Sequence, residues 1–168
     1  MLKIPNVSRL IVSNLLSSSP NSLSFNLGCP HWAGLNSGMF MKALVIDDSK
    51  AMRRIIQTTL KGLGFDVEQA EHGGRGLEML NATNGGFDLV MVDWNMPEVN
   101  GFEFVQRVRE NSAFDDIKLI MCTTETEFDQ MLKALDAGAN EYLMKPFTKE
   151  ALLDKLGLVG LVETDMKA

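Results

Sequence analysis

Ala43-Leu44-Val45-Ile46-Asp47-Asp48-Ser49 sets four apolar residues directly against two carboxylates and a hydroxyl. An apolar run without alternation marks a strand covered on both faces, because neither side of its pleat meets water. Ser49 can cap a following helix, whose apolar positions Met52, Ile55, Ile56 and Leu60 keep helical spacing until Gly62 and Gly64 end it. A buried strand feeding a helix is the start of a βαβ unit, and the same alternation continues down the chain.

Asp66–Ala70 is a second, more polar strand, suited to a sheet edge. A turn at His72-Gly73-Gly74 leads into a short helix around Arg75–Ala82, weakened by Gly76. Leu89-Val90-Met91-Val92 is the most apolar strand and belongs at the sheet centre, and a helix follows over about Phe102–Glu110. Leu119-Ile120-Met121-Cys122 makes strand four. Phe128, Met131, Leu132 and Leu135 recur at helical spacing before Gly138. Glu141–Met144 is strand five, and Thr148 can cap a last helix through about Leu156. Five strands alternating with five helices predict an α/β fold, a parallel sheet with right-handed crossovers and helices on both faces.

The chain has 168 residues, enough for one ordinary domain. No run of about 18 apolar residues occurs, which excludes a conventional transmembrane helix. Asp plus Glu outnumber Lys plus Arg by 22 to 16, so the basic footprint of a nucleic-acid binder is missing. Two cysteines, Cys29 and Cys122, argue against a disulfide scaffold or a Cys-based zinc site and for a reducing, cytoplasmic compartment. Residues 1–40 hold Lys3 and Arg9 and no acid, so 41–168 carries 14 basic against 22 acidic residues, a net −8. This first stretch is rich in Ser, Asn and Gly and shows no sustained period, as expected of a disordered leader. Leu10-Ile11-Val12 is too short for a secretory core, and one Arg fits a transit peptide poorly. The ordered domain is expected over 41–168, with Met39 or Met41 a candidate for the working start.

The chemistry is positional. Asp47 and Asp48 follow strand one, Asp93 ends strand three, Thr123 ends strand four and Lys145 follows strand five. Carboxyl ends of parallel strands are where ligands bind. Taken singly, an Asp there is more often a cap or turn residue, and a Lys a solvated surface charge. Together, three carboxylates, a hydroxyl and an ammonium suggest one site. Two carboxylates about 5 Å apart repel by roughly 3 kcal/mol at an effective dielectric near 20, so the cluster needs a proton, a Lys or a metal. Oxygen-only ligands open to water suit Mg²⁺. A carboxylate beside Mg²⁺, with Lys and Thr at hand, is equipped to attack a phosphoryl group and become an aspartyl phosphate. Cys122 and Met52, Met79, Met91, Met121 and Met131 fit core packing better than metal binding.

Val45-Ile46-Asp47-Asp48-Ser49, Ala51-Met52-Arg53-Arg54-Ile55, Val92-Asp93-Trp94-Asn95-Met96-Pro97 with Asn100-Gly101, Cys122-Thr123-Thr124-Glu125 and Tyr142-Leu143-Met144-Lys145-Pro146-Phe147-Thr148 fall in order between about 42 and 157. In this set the chain resembles the receiver domains of two-component response regulators, and among them the single-domain, CheY-like chemotaxis regulators. The resemblance implies a flavodoxin-like (βα)5 three-layer sandwich with strand order 2-1-3-4-5. It implies a phosphorylation-activated switch and not an enzyme acting on other molecules. Asp93 would be the phosphoacceptor, charged by a histidine kinase or a histidine phosphotransfer protein. Asp48, Asp93 and the backbone carbonyl of Asn95 would bind Mg²⁺, with Asp47 acting largely through water. Lys145 would pair with a phosphoryl oxygen, Thr123 would close on it by a hydrogen bond, and Tyr142 would swing inward in response. Asn95 and Glu125 would tune loss of the phosphoryl group, the Lys145–Pro146 peptide would be cis, and a downstream protein would dock on the helix 4–strand 5–helix 5 face. His72, Gly76 and Asn100 depart from common family residues without touching the chemical set.

Three rivals are weaker. An Asp-nucleophile, Mg-dependent phosphatase of haloacid-dehalogenase type needs a second Asp two residues after the first, where Asn95 stands. A flavodoxin needs a neutral phosphate loop after strand one, where Asp47-Asp48 would repel phosphate. A receiver-like module without phosphorylation would not require the complete residue set.

Overall fold

The structure, a computed structural model, describes residues 40–124 and 128–163, the side chains of 128–130 aside. Along the chain run β1 (Lys42–Ile46), α1 (Lys50–Lys61), β2 (Asp66–Ala70), α2 (Gly73–Ala82), β3 (Leu89–Asp93), α3 (Gly101–Arg109), a 3-10 turn (Ser112–Phe114), β4 (Lys118–Thr123), α4 (Phe128–Asp136), β5 (Glu141–Met144) and α5 (Lys149–Leu158). The strands form one sheet in the order β2-β1-β3-β4-β5, every pair parallel. This is the flavodoxin-like arrangement expected, with polar β2 at an edge and fully buried β3 in the centre.

Alternation along the strands splits the core into two layers. Leu44, Ile46, Val90, Val92, Leu119 and Met121 face α2, α3 and α4, packing with Leu80, Phe104, Val105, Val108 and Ala134. Ala43, Val45, Leu89, Met91, Ile120, Cys122 and Leu143 face the other way, onto Ile56 and Leu60 of α1 and Leu152 and Leu156 of α5. Each large side chain fully removed from water contributes roughly 1.5–3 kcal/mol. Cys122, Met91 and Met121 are core residues, as their sequence context suggested.

Several local expectations are corrected. α2 begins at Gly73, not Arg75, because the His72 ring caps it, with Nδ1 accepting from the Arg75 amide at 3.1 Å. Gly76 does more than weaken this helix. A Cβ there would strike Ile46 Cδ1 and crowd Phe104, so its absence lets α2 settle on β1. In α1, Ile56 is buried while Ile55 is 57% exposed, since neighbours on a helix point about 100° apart. In α4 the expected leucine stripe faces outward, with Leu132 43% and Leu135 37% exposed. The buried contact is Ala134, flanked by half-buried Met131 and Ala137, because the sheet accepts a small-residue face there.

Candidate functional site

The strand order makes β1, β3, β4 and β5 consecutive neighbours, so residues at their carboxyl ends meet. Asp47 and Asp48 lie in the turn after β1, Asp93 is the last residue of β3, Thr123 the last of β4, and Lys145 follows β5. One carboxylate oxygen from each of Asp47, Asp48 and Asp93 falls within 4.8 Å of the others. Asp47, Asp93 and Thr123 are buried, whereas Asp48 is exposed.

Lys145 is no surface charge. Its side chain is 7% exposed, and Nζ donates to Asp47 Oδ2 at 2.6 Å and to Asp93 Oδ1 at 2.7 Å. Its backbone N–H donates to the Thr123 carbonyl at 2.7 Å, tying the ends of β4 and β5 together. The Lys145–Pro146 peptide is cis, as the resemblance implied. Asp47 also uses its other oxygen, Oδ1, which accepts from the Ser49 amide at 2.8 Å. Ser49 in turn caps α1 through the Met52 amide. Asn95, two residues after Asp93, is exposed and lines a cavity of about 520 Å³ with Asp48, Trp94, Pro97, Phe102 and Lys133. The Trp94 and Phe102 rings meet at 5.9 Å between centroids. Tyr142 is half-buried on β5, against the layer that carries α2, α3 and α4. Glu125 lies outside the described residues.

Two residues quoted in the sequence only as motif members turn out to support the site. Arg53 sends Nη1 to the Asp47 and Asp48 carbonyls at 2.6 and 3.3 Å and Nε to Gln69 at 3.4 Å, fixing the turn that presents both carboxylates. Its spacing gave a signal, since a residue four after a cap Ser sits one helical turn above the cap. Gly101 had a subtler role. A Cβ there would fall on the Asp93 carbonyl oxygen, so α3 can start beneath the site only without a side chain.

Burial raises the pKa of Asp93; the hydrogen bond and charge of Lys145 oppose this, and the charges of Asp47 and Asp48 reinforce it. For Lys145 burial is the largest single influence and lowers its pKa, but the bonds and charges of Asp47 and Asp93 together outweigh it and hold the ammonium above its usual range. The Cys122 thiol, beside Asp93 across the β3–β4 ladder, is pushed up to about 12 by burial, with Lys145 opposing and the two carboxylates adding. The donor set consists of oxygens alone and has one solvent-facing carboxylate, so it fits a hard divalent cation.

This fold with this cluster defines a receiver. Residues 43–157 match the response regulator receiver domain family, and the chain belongs to it. It is 49% identical over 120 residues to chemotaxis protein CheY1 of Helicobacter pylori, covering 71% of this chain and 96% of that one. It is 47% identical over 117 residues to a chemotaxis protein CheY homolog of Campylobacter jejuni, covering 69% and 89%. Vibrio cholerae chemotaxis protein CheY4 superposes with a TM-score of 0.67 at 36% identity, covering 72% of this chain and 99% of that one. The protein is accordingly a phosphorylation-activated switch of two-component signalling, of the chemotaxis-regulator kind. Nothing in these likenesses supports the phosphatase alternative. No helix among the described residues is long and apolar enough to cross a membrane.

Proposed function

We propose that Asp93 accepts the phosphoryl group. The supporting observation is the place of each carboxylate in the cluster. Asp47 has both oxygens engaged, by Ser49 and by Lys145. Asp93 ends the central strand β3, is buried, and accepts from the same ammonium at Oδ1, which places its carboxylate at the middle of the cluster beside the charge that would balance a phosphoryl group. The donor is a phosphohistidine of a kinase or a phosphotransfer protein. The Asp93 carboxylate forms the new P–O bond as the P–N bond breaks, and the departing imidazole nitrogen takes a proton. Lys145 balances charge on the phosphoryl oxygens, and the Thr123 hydroxyl donates to one of them. Asp48, Asp93 and the Asn95 carbonyl would hold Mg²⁺, with Asp47 reaching it through water; the ion supplies electrostatic neutralisation of the transferring group.

Output follows from shape. Tyr142 and the α4–β5–α5 face, where Leu132, Leu135 and Met144 stand exposed, are the surface a downstream protein would read. The protein acts on no other substrate and works in the cytoplasm without nucleic acid or membrane. Residues 41–168 suffice for this activity, residues 1–40 being dispensable. The test is phosphate incorporation from a small phosphodonor with Mg²⁺. Asp93→Asn abolishes labelling and a chain starting at Met41 retains it; undiminished labelling of Asp93→Asn rejects the assignment.

A further inference from the structure

We propose that Lys155 and Glu141 form a latch on Tyr142 that sets the resting bias of the switch. Lys155, on α5, places Nζ 4.6 Å from the centroid of the Tyr142 ring. The same nitrogen donates to Glu141 Oε2 at 2.6 Å. Oε2 also accepts from the Tyr142 backbone amide at 3.2 Å. A carboxylate on β5 thus holds an ammonium from α5, and that ammonium lies on the face of the ring next to the carboxylate in sequence. Both charged side chains are largely withdrawn from solvent, 24% and 22% exposed, which strengthens a cation–π contact over one at the open surface.

Any inward movement of the ring must leave the ammonium behind. The contact is made only in the position described here, so it stabilises that position and no other. Lys155 and Glu141 are therefore positioning residues. They touch neither Asp93 nor the phosphoryl group, and they act on the equilibrium of Tyr142. Loss of one cation–π contact of this exposure changes that equilibrium by roughly five-fold. The latch rests on the reading of Tyr142 as a moving part of the switch, and the test separates the two.

Tyr142 is the only tyrosine of the chain, so fluorotyrosine labelling gives a single ¹⁹F resonance. The full chain is examined free, and with Mg²⁺ and beryllofluoride as a phosphoryl mimic, with ring populations taken from saturation-transfer exchange measurements. In the wild type the mimic raises the inward population. In Lys155→Met that population is already raised about five-fold without the mimic, Glu141→Gln moves it in the same direction by less, and Lys155→Arg restores the wild-type value. Mg²⁺ affinity from tryptophan fluorescence stays unchanged, separating a shifted ring from a damaged site. A Lys155→Met protein with the wild-type ring population that still responds to the mimic overturns the latch alone. A wild-type ring indifferent to the mimic overturns the moving tyrosine and the latch with it.

Discussion

Replacing Lys145 by Met keeps the length of the stem and deletes the ammonium that bridges Asp47 and Asp93. Two ways of accommodating the remaining carboxylates bound the loss from above. The two buried carboxylates, with oxygens within 4.8 Å, would repel by roughly 3 kcal/mol at an effective dielectric near 20. The pair can escape by taking a proton. For a carboxyl of ordinary pKa 3.8 that costs about 4 kcal/mol at pH 7. The variant takes the cheaper course and should lose about 3 kcal/mol at pH 7, at the low end of the roughly 3–5 kcal/mol typical of breaking a buried pair. A domain of ordinary stability survives this.

The sign of the pH dependence follows. In the variant one carboxyl has its folded pKa raised above the unfolded value. The folded state is thus penalised above the unfolded pKa and relieved as the pH falls. At pH 5 the proton costs only about 1.6 kcal/mol, so the deficit shrinks to that value. A divalent ion relieves it differently: Mg²⁺ at a hundred times its Kd adds about 2.7 kcal/mol to whichever protein it binds, and the variant, freed of a competing ammonium, gains more than the wild type at equal Mg²⁺. Urea unfolding by circular dichroism at pH 7 and pH 5, with EDTA or with Mg²⁺, measures all of this. Equal stability of the two proteins in EDTA at pH 7, or a deficit that widens on acidification, refutes the account of the cluster as a repulsive set held by one lysine.

Gly101→Ala puts a Cβ on the Asp93 carbonyl oxygen, a backbone atom that cannot step aside, and should cost about 2–3 kcal/mol in urea unfolding while weakening Mg²⁺ binding. Gly76→Ala meets the flexible end of Ile46 and gains roughly 1 kcal/mol of helix propensity, so its unfolding midpoint should move much less. Arg109→Ala strips donors from the carbonyls of Phe114, Ile117 and Gly138 and from the Asn140 side chain. It should cost about 2–4 kcal/mol and speed hydrogen exchange at the Leu119 amide, which shares the Asn140 oxygen. Cys122, buried and with its thiol pushed up to about 12, should resist iodoacetamide at pH 8 in native protein and react in urea, as peptide mapping would show.

The strands were legible because continuous apolar runs such as Leu89–Val92 have one physical meaning in a chain of this length. The convergence of Asp47, Asp48, Asp93, Thr123 and Lys145 was legible because each ends a strand, and parallel strands put those ends on one edge. What periodicity could not give was which stripe of a helix is buried when two are available. In α4 leucines and small residues both recur at helical spacing, and hydrophobicity alone chose the leucines. Close packing against the sheet chose Ala134. The cap of α2 was missed for a related reason: His72 is rarely a cap, and its ring turns back onto the Arg75 amide only in the folded turn. Arg53 was visible as part of a motif, but its bonds to two carbonyls depend on a turn whose shape the sequence does not specify.

The same misjudged helix bears on how a charge change at Asp93 could reach the surface. Lys145 serves two carboxylates with its side chain and the Thr123 carbonyl with its backbone. If its ammonium turns toward a phosphoryl oxygen, Asp47 loses its cation, and the strain falls on the segment joined to Thr123. The ends of β4 and β5 must then respond together, because one backbone hydrogen bond spans them. Upstream of Lys145 the short strand β5 carries Met144 and Tyr142, and α4 follows Thr123 with its leucines outward. Leu132, Leu135 and Met144 lie outside the fully buried core, so shifting them sacrifices less burial than moving a core leucine would. An apolar face of that kind can change shape at small cost in stability, whereas inward-facing leucines would have locked α4 to the sheet at roughly 1.5–3 kcal/mol each.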